Sequence, residues 1–520
     1  MIVAMGQYDA PQIQKQPILK LDLHRSNIAV LGAPMSGKTT FIKTMLVRLH
    51  ENMNQKPAEH IYLIDFGGNI GAYGQLRNVC ACFDNSNEEN IKRVFRTIEK
   101  RLAENARVLA SENYYTVASK TPEKAPPHLF LIIENINAFL ADERYASYQD
   151  LLIRFCRDGL SKGLTVVITG NELSGINRLL ANFGQKVAFE MTSDSYTEIF
   201  NTRVNRPMRL PGRGLVNLQY EVYEFQCFMP FAEEDDDEAI RKLVYDTSVY
   251  PNDYIMAAFD ETLTRENFMD FCAKGYSDCC EEDEIIIGLD YYEHKPVKVN
   301  ISDSRSLAIY GKRKSEKINL LKLLLTGIKE HHPDARFVYL DDGRERLKSF
   351  LGGNNHISDY AEYFTDAGEL RKYMAQNGYG AVGSDIKAVE VGSTPYTVFV
   401  LQSKVLYHGS QNGKRLLDRF AIMAGEAEAK GYLFIYADVG NISDSDVRRR
   451  FVDSISMAFM LGDLGELIAQ KGDRTPFGDM DSKELRAKYA KCGPDDGYVY
   501  DAVRGDEEIK LKFIKVYEEQ

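Results

Sequence analysis

The sequence predicts an α/β protein built twice over, with two tandem modules that are each a mostly parallel sheet flanked by helices. Three observations lead there. Continuous apolar runs such as Phe130–Ile133 suit strands covered on both faces, as in a parallel sheet. Amphipathic stretches lie between them, as in the segment from Glu88, where Ile91, Val94, Phe95, Ile98 and Leu102 share one face. Finally, one order of landmarks occurs on both sides of the acidic run "FAEEDDDEAI" (Phe231–Ile240), the mark of an internal duplication.

Taken in order, "VAMGQYD" and "PILKLDL" lead to the strand "NIAVLG", just as "IIIGLDYYEHKPVKVNI" leads to "SLAIYG". "HIYLIDFGG" around Asp65 corresponds to "RFVYLDDGR" around Asp341. "PPHLFLIIEN", ending at Glu134-Asn135, corresponds to "TPYTVFVLQS", ending at Gln402-Ser403, with Pro127 and Pro395 at the same distance upstream. "KGLTVVITG" matches "KGYLFIYAD", "KVAFEM" matches "SMAFML", and "LPGRGLV" matches "CGPDDGYVY". Alternating strands and helices make each copy a doubly wound domain. The expected boundaries are 1–230 for the first module, 231–282 for an acidic helical linker and 283–520 for the second module.

Composition narrows the function. The chain is 44% hydrophobic and 27% charged, with net charge −12, which disfavours a surface built to neutralise nucleic-acid phosphates. No apolar run approaches the ~20 residues that span a bilayer, and the N-terminus lacks a signal-peptide pattern. The eight cysteines include no C-x-x-C pair and the nine histidines no metal-ligand spacing, so the thiols are read as buried groups in a reducing cytosol.

The chemistry concentrates in "GAPMSGKTT", Gly32 to Thr40, a G-x-x-x-x-G-K-T loop between a strand and a helix. Gly32 and Gly37 let Ala33, Pro34, Met35 and Ser36 curl so that backbone N–H groups point inward at an anion. The following helix adds its N-terminal dipole. Lys38 is expected to reach the β- and γ-phosphates of ATP, and Thr39 to bind Mg²⁺, with Thr40 completing the loop. Glu134 closes the strand where a metal-supporting acid belongs and is assigned with Thr39 to magnesium and with Lys38 to catalysis. Asn135 follows where a second carboxylate would orient water, so hydrolysis is expected to be weak or conditional. Asp65 reads first as a loop cap and second as a group near the phosphates. Thr169 and Asn171 are candidates to sense the γ-phosphate. Arg203, Arg206, Arg209 and Arg213 read as salt-bridging surface, with a reach into a neighbouring subunit's nucleotide as the alternative.

In the second copy, "IYGKRKSEKINLLKLLL", only the lysine survives. Glu316 replaces the glycine before Lys317, and two like charges about 4 Å apart repel by roughly 1–4 kcal/mol at surface-like dielectrics. Ile318 has no hydroxyl for magnesium, and Gln402 replaces the acid. Lys317 is read as a helix-surface lysine, with pairing to Glu316 or Asp341 as the alternative. The second module is therefore expected to be a pseudo-ATPase kept for docking or assembly.

With "GQYDAPQIQKQPILKLDL", "GAPMSGKTT", "YLIDFGG", and "PGRGLVN" followed by "YEFQ", the chain resembles the EssC family, the FtsK/SpoIIIE-type ATPases of bacterial type VII secretion systems. The resemblance covers nearly the whole chain and fits the second and third of three tandem ATPase modules. It implies RecA-like P-loop NTPase folds, ATP and Mg²⁺ as cofactors, and a hexamer with the other modules and subunits of the secretion ATPase. It also implies WXG100-type secreted proteins as partners, one docking on the last module; no nucleic acid is expected, because of the acidic balance. A membrane-anchored parent at the cytoplasmic face, of which this chain is a soluble fragment, follows from the same likeness. The alternatives are an FtsK-like DNA translocase and a non-enzymatic module that binds ATP to fix conformation.

Overall fold

Strand pairing in the computed structural model realises the duplication strand for strand. It describes residues 1–52, 58–110, 112–218, 221–232, 236–245, 256, 262–268, 283–291, 295–311, 314–341, 343–345, 347, 350, 361–379, 396–402, 406, 411–437, 445–461, 495–501 and 507–516. The chain divides into Met1–Ala258 and Phe259–Gln520.

The first module contains β1 (Ile2–Tyr8), β2 (Ile18–Asp22), β3 (Ile28–Leu31), β4 (Glu59–Asp65) and β5 (Val79–Asp84). It continues with β6 (His128–Glu134), β7 (Leu164–Gly170), β8 (Gln185–Phe189), β9 (Arg213–Leu218) and β10 (Glu221–Cys227). The second contains β11 (Glu284–Asp290), β12 (Pro296–Asn300), β13 (Ser306–Gly311), β14 (Arg336–Leu340) and β15 (Ala361–Phe364). Its remaining strands are β16 (Thr397–Leu401), β17 (Tyr432–Tyr436), β18 (Met457–Leu461), β19 (Asp496–Asp501) and β20 (Glu507–Phe513). The first sheet runs β2-β1-β10-β9-β8-β3-β7-β6-β4-β5, and the second β12-β11-β20-β19-β18-β13-β17-β16-β14-β15. Each position of the second is the first plus ten. Pairing is parallel from β8 through β3 to β5 and from β18 through β13 to β15, and antiparallel across the strands beyond.

A backbone irregularity recurs as well. The register between β1 and β2 shifts between Ala4 and Gly6, and that between β11 and β12 between Ile286 and Gly288. A Cβ on Gly6 would fall 2.1 Å from the Gln226 carbonyl oxygen, and one on Gly288 2.2 Å from that of Lys512. Only glycine allows so close an approach at either bulge.

The strands are apolar at every position because both faces are covered. Helix α1 (Lys38–Glu51) lays Phe41, Ile42, Met45 and Leu46 against Ile61, Leu63, Phe130 and Ile132. On the opposite face, helices Glu88–Leu109 and Ala146–Asp158 set Ile91, Phe95, Leu152 and Phe155 against Tyr62, Ile64, Leu131 and Ile133. The sequence periodicity thus follows from a three-layer sandwich. Of the expected linker, helix Asp236–Tyr245 places Ile240 in the first core and Asp236 2.6 Å from Lys43, whereas Leu263 and Phe268 join Leu289 and Ile514 in the second unit. No described helix is long and apolar enough to cross a membrane.

The floor of the first sheet carries buried titratable groups. At the starts of β4 and β6, Glu59 and His128 meet His24, whose ring stacks on His128 at 4.0 Å and whose Nε2 lies 3.4 Å from Glu59 Oε1. Burial pushes Glu59 up to about 8 and His24 down to about 3. It also lowers His60 to about 4 and holds His128 well below its ordinary range. In the second sheet Tyr396 stands at the start of β16, one residue before Thr397, with the Arg305 guanidinium 4.7 Å above its ring.

Candidate functional site

The loop after β3 is anchored on both sides of its strand. Gly32 N–H donates to Gly170 O at 3.1 Å and Ala33 N–H to Glu190 O at 2.6 Å, so Pro34, Met35 and Ser36 arch above the sheet. The arch needs left-handed backbone at Met35 (φ 60°) and Gly37 (φ 116°). At Gly37 a side chain would also collide, since a Cβ would lie 2.8 Å from the N and Cα of Gly212. Gly212 in turn donates its N–H to Ser36 O at 3.1 Å, which ties the β8–β9 connection to the loop.

The helix α1 begins at Lys38, whose side chain turns back over the loop and donates from Nζ to Gly32 O (2.7 Å) and Ala33 O (2.8 Å). Burial lowers its pKa, and the charge of Glu134 opposes that shift. Thr39 Oγ1 donates to Glu134 Oε1 at 2.8 Å, and Thr40 continues the first turn beside a pocket of about 200 Å³. Burial raises the Glu134 pKa; the Thr39 hydrogen bond opposes the rise and Asp65 adds to it. An incoming divalent cation would displace the Thr39 proton from this contact and leave both oxygens as ligands. The nest, the lysine and this oxygen pair fit a magnesium-bound triphosphate.

Glu134 is held at the end of β6 in register with Asp65 at the end of β4. Asp65 caps the connection that follows: Oδ1 accepts from the N–H groups of Gly67 (3.1 Å) and Gly68 (2.7 Å), Oδ2 from Ile70 (2.9 Å). Gly67 passes so close that a Cβ there would fall 1.7 Å from Glu134 Oε2. Asn135 adopts the left-handed conformation (φ 62°), and its N–H donates to Thr169 Oγ1 at 2.8 Å. Asn171 N–H donates to Asn137 Oδ1 at 2.9 Å. Of the arginines, Arg206 pairs with Asp194 (3.5 Å) and Arg209 with Glu190 (3.1 Å), both exposed. Arg213 is mostly buried between Asp9 and Glu224, and Arg203 is exposed. Gly67, Pro211, Gly212 and Gln226 stand in motifs that mark the family resemblance, but no sequence signal assigned Gly67 to the space beside Glu134, or Pro211, Gly212, Gln226, Cys227 and Met229 to a pocket wall. Their roles depend on contacts between distant segments.

At the corresponding place in the second module, β13 ends at Gly311 (φ 137°), where a Cβ would meet Leu461 O at 2.3 Å. The side chain of Glu316 lies outside the described residues. Lys317 corrects the expectation of a surface lysine: it is only 6% exposed, because the first turn of helix Lys314–His331 presses against the sheet as α1 does. Ile318 packs on the core in place of a hydroxyl. Buried Asp341 and Gln402 hold the positions of Asp65 and Glu134, and a tyrosine fills the space between them. The Tyr339 hydroxyl lies 2.5 Å from Gln402 Oε1 and 3.2 Å from Asp341 Oδ1, sharing one proton between them. Tyr363 donates to the other Asp341 oxygen, which also accepts from Glu345 N–H at 2.7 Å.

A further difference sits where Gly212 touches the intact loop. In the first module Cys227 N–H donates to Gly212 O (2.9 Å), and in the second Phe513 N–H donates to Asp495 O (2.8 Å). Asp495 keeps the left-handed backbone (φ 64°) but brings a carboxylate, 3.7 Å from Lys515.

Residues 5–217 match the FtsK/SpoIIIE family. The type VII secretion system protein EssC of Staphylococcus aureus (strain MRSA252) is 22% identical over 383 residues, 71% of this chain and 25% of that protein. The ESX secretion system protein EccC of Geobacillus thermodenitrificans is 24% identical over 366 residues, 66% of this chain and 23% of that protein. The chain thus spans about a quarter of the length of these relatives. Among solved structures, ATPases 2 and 3 of EssC from Geobacillus thermodenitrificans superpose with a TM-score of 0.70 at 19% identity, covering 99% of this chain and 96% of that one. ATPases 2 and 3 of Thermomonospora curvata EccC, in complex with a signal sequence peptide, give 0.62 at 19% identity, with coverage of 99% and 93%. These likenesses show two tandem RecA-like folds.

Proposed function

Because residues 5–217 form an FtsK/SpoIIIE-family module in a chain homologous to EssC and EccC proteins, we propose that the chain is the ATP-binding C-terminal part of a type VII secretion motor. Nucleotide binding goes with the P-loop ATPase family. The first module binds Mg-ATP through Gly32–Thr40, with Lys38 on the phosphates and Thr39 and Glu134 on the metal. The observation that carries it is the 2.8 Å contact of Thr39 Oγ1 with Glu134 Oε1, which joins helix α1 to β6 at the metal position. Hydrolysis is slow, since the residue after Glu134 is an asparagine whose backbone is tied to Thr169.

The second module docks a WXG100-type substrate and does not turn over ATP. The peptide complex of the Thermomonospora curvata ATPases supports a docking role for this pair of modules. The larger assembly supplies the membrane anchor and the neighbouring subunits.

Calorimetric titration of Mg-ATP into the intact chain, Lys38→Ala and Lys317→Ala tests the division. One site is expected, lost in Lys38→Ala and intact in Lys317→Ala; a second site lost in Lys317→Ala would overturn it. Titration of the cognate WXG100-type proteins should show binding that persists in Lys38→Ala. If none binds, the docking half is wrong.

A further inference from the structure

Four large exposed apolar side chains of the first module lie on segments that border the loop, while Ile2, Ile13, Ile18 and Val108 are exposed on other segments. Met35 is 95% exposed at the loop apex, Met229 67% exposed just past β10, and Met208 and Leu210 are exposed on the connection into β9. Single exposed apolar residues need no explanation, but a group of them beside an anion-binding loop marks an apolar part of the same ligand. Met35, Pro211 and Met229 border the 200 Å³ pocket whose other wall is Gly37, Thr39 and Thr40. Gly37, Lys38, Thr39 and Thr40 belong both to this pocket and to the phosphate cradle, and Thr39 also reaches Glu134. A triphosphate held by the loop with its metal at Glu134 therefore has this slot beside it.

We infer that the slot between Met35, Pro211 and Met229 seats the purine ring of the nucleotide and that Gln226 reads its six-position, favouring adenine over guanine. Thioethers are suited to the ring faces, being polarisable and adaptable. Gln226 lines the slot, and its Nε2 donates to Pro211 O at 3.2 Å. That contact fixes the amide's orientation, because a carbonyl accepts only from the NH₂ end. The group left for a base is Oε1, an acceptor. It pairs with the 6-amino group of adenine and faces the 6-oxo group of guanine acceptor to acceptor. A Cβ on Gly212 would lie 2.9 Å from Gln226 Nε2, so the same glycine that packs under Gly37 leaves room for the reader.

Among the described residues of the second module, the positions of this wall carry other side chains. Lys512 and Phe513 take the positions of Gln226 and Cys227, opposite Leu289 and Gly288 as those residues are opposite Gln7 and Gly6. Phe513 is buried in the core there.

The inference rests on Mg-nucleotide binding by the first module, and three probes separate the two. Mg-ATP, Mg-GTP and Mg-tripolyphosphate, which has no base, are titrated into the intact chain, Gln226→Ala and Met229→Ala. The intact chain should prefer ATP over GTP by about tenfold, the scale of one hydrogen bond made or left unpaired. Gln226→Ala should erase that preference with tripolyphosphate binding unchanged. Met229→Ala, at an exposed position that folding tolerates, should weaken ATP and GTP alike and leave tripolyphosphate unchanged. If neither ATP nor tripolyphosphate binds, the underlying reading fails. If ATP binds with Lys38 dependence but both variants keep wild-type affinities and preference, or lose tripolyphosphate equally, the base seat is wrong. A change in solution mass in Met229→Ala without a change in base affinity would reassign the apolar group to contact between copies and likewise overturn it.

Discussion

The two modules share ten strands in one order and even a glycine bulge, yet they differ at nearly every side chain above the sheet. Where the first has Glu134 beside Thr39, the second has Gln402 under a tyrosine; where the first has Gly212, the second has Asp495. The comparison teaches that fold and chemistry are held by separate residue sets. The sheet needs apolar strands and a few glycines at close approaches, and both copies keep these. The site needs small residues and one carboxylate at the strand ends, and only one copy keeps those.

Converting one module toward the other is the sharpest trial. Gly37→Glu copies the residue before Lys317 and should have the largest effect. It puts a side chain at φ 116° against Gly212 and a carboxylate in the cradle. ATP affinity by calorimetry should fall by roughly three decades, about 4 kcal/mol.

The shared bulge should be equally unforgiving in both copies. Gly6→Ala and Gly288→Ala each drive a Cβ into a backbone carbonyl, so each should cost about 3 kcal/mol in urea unfolding. A module that tolerated its substitution would break the equivalence.

The buried floor distinguishes the modules by pH. Glu59, raised to about 8, keeps a proton that the unfolded chain has lost, so stability falls as pH rises toward 8. His24, His60 and His128 are lowered, so the unfolded chain takes up protons that the folded one refuses, and stability falls below about 6.5. The optimum should lie near pH 6.5, with about 2 kcal/mol lost by pH 8. Thermal melts of Glu59→Gln should lack the alkaline limb; an unchanged limb would show that Glu59 does not cause it.

The smallest change is Glu134→Gln, the residue found in the second copy. It should remove the gain in ATP affinity that Mg²⁺ provides, about tenfold, while metal-free binding stays as it was. An equal loss with and without Mg²⁺ would take Glu134 off the metal.

Much of this architecture could be read in the sequence because its signals are local. Continuous apolar runs, amphipathic helices and the Gly32–Thr40 loop each occupy one short stretch, and the repeated order of landmarks marks the second copy as a duplicate of the first. Asp65 as a loop cap was also legible, since an aspartate before Phe-Gly-Gly has backbone N–H groups within reach. What stayed hidden depends on residues far apart in the chain. Asp495 matters only because it stands where Gly212 touches Gly37, and Tyr339 only because it reaches both Asp341 and Gln402. Lys317 was misjudged for the same reason. A lysine near a helix start reads as surface until the sheet beneath it is in place.

The neighbouring placement of β1 and β10, and of β11 and β20, has a consequence for how such a chain can be lengthened. Each sheet receives its first strand beside its last, so a module begins and finishes at one locality. A gene segment for one module can be copied in tandem, or cut and rejoined at another loop, without unthreading a sheet. Such a cassette can shed its reaction and persist as a building block.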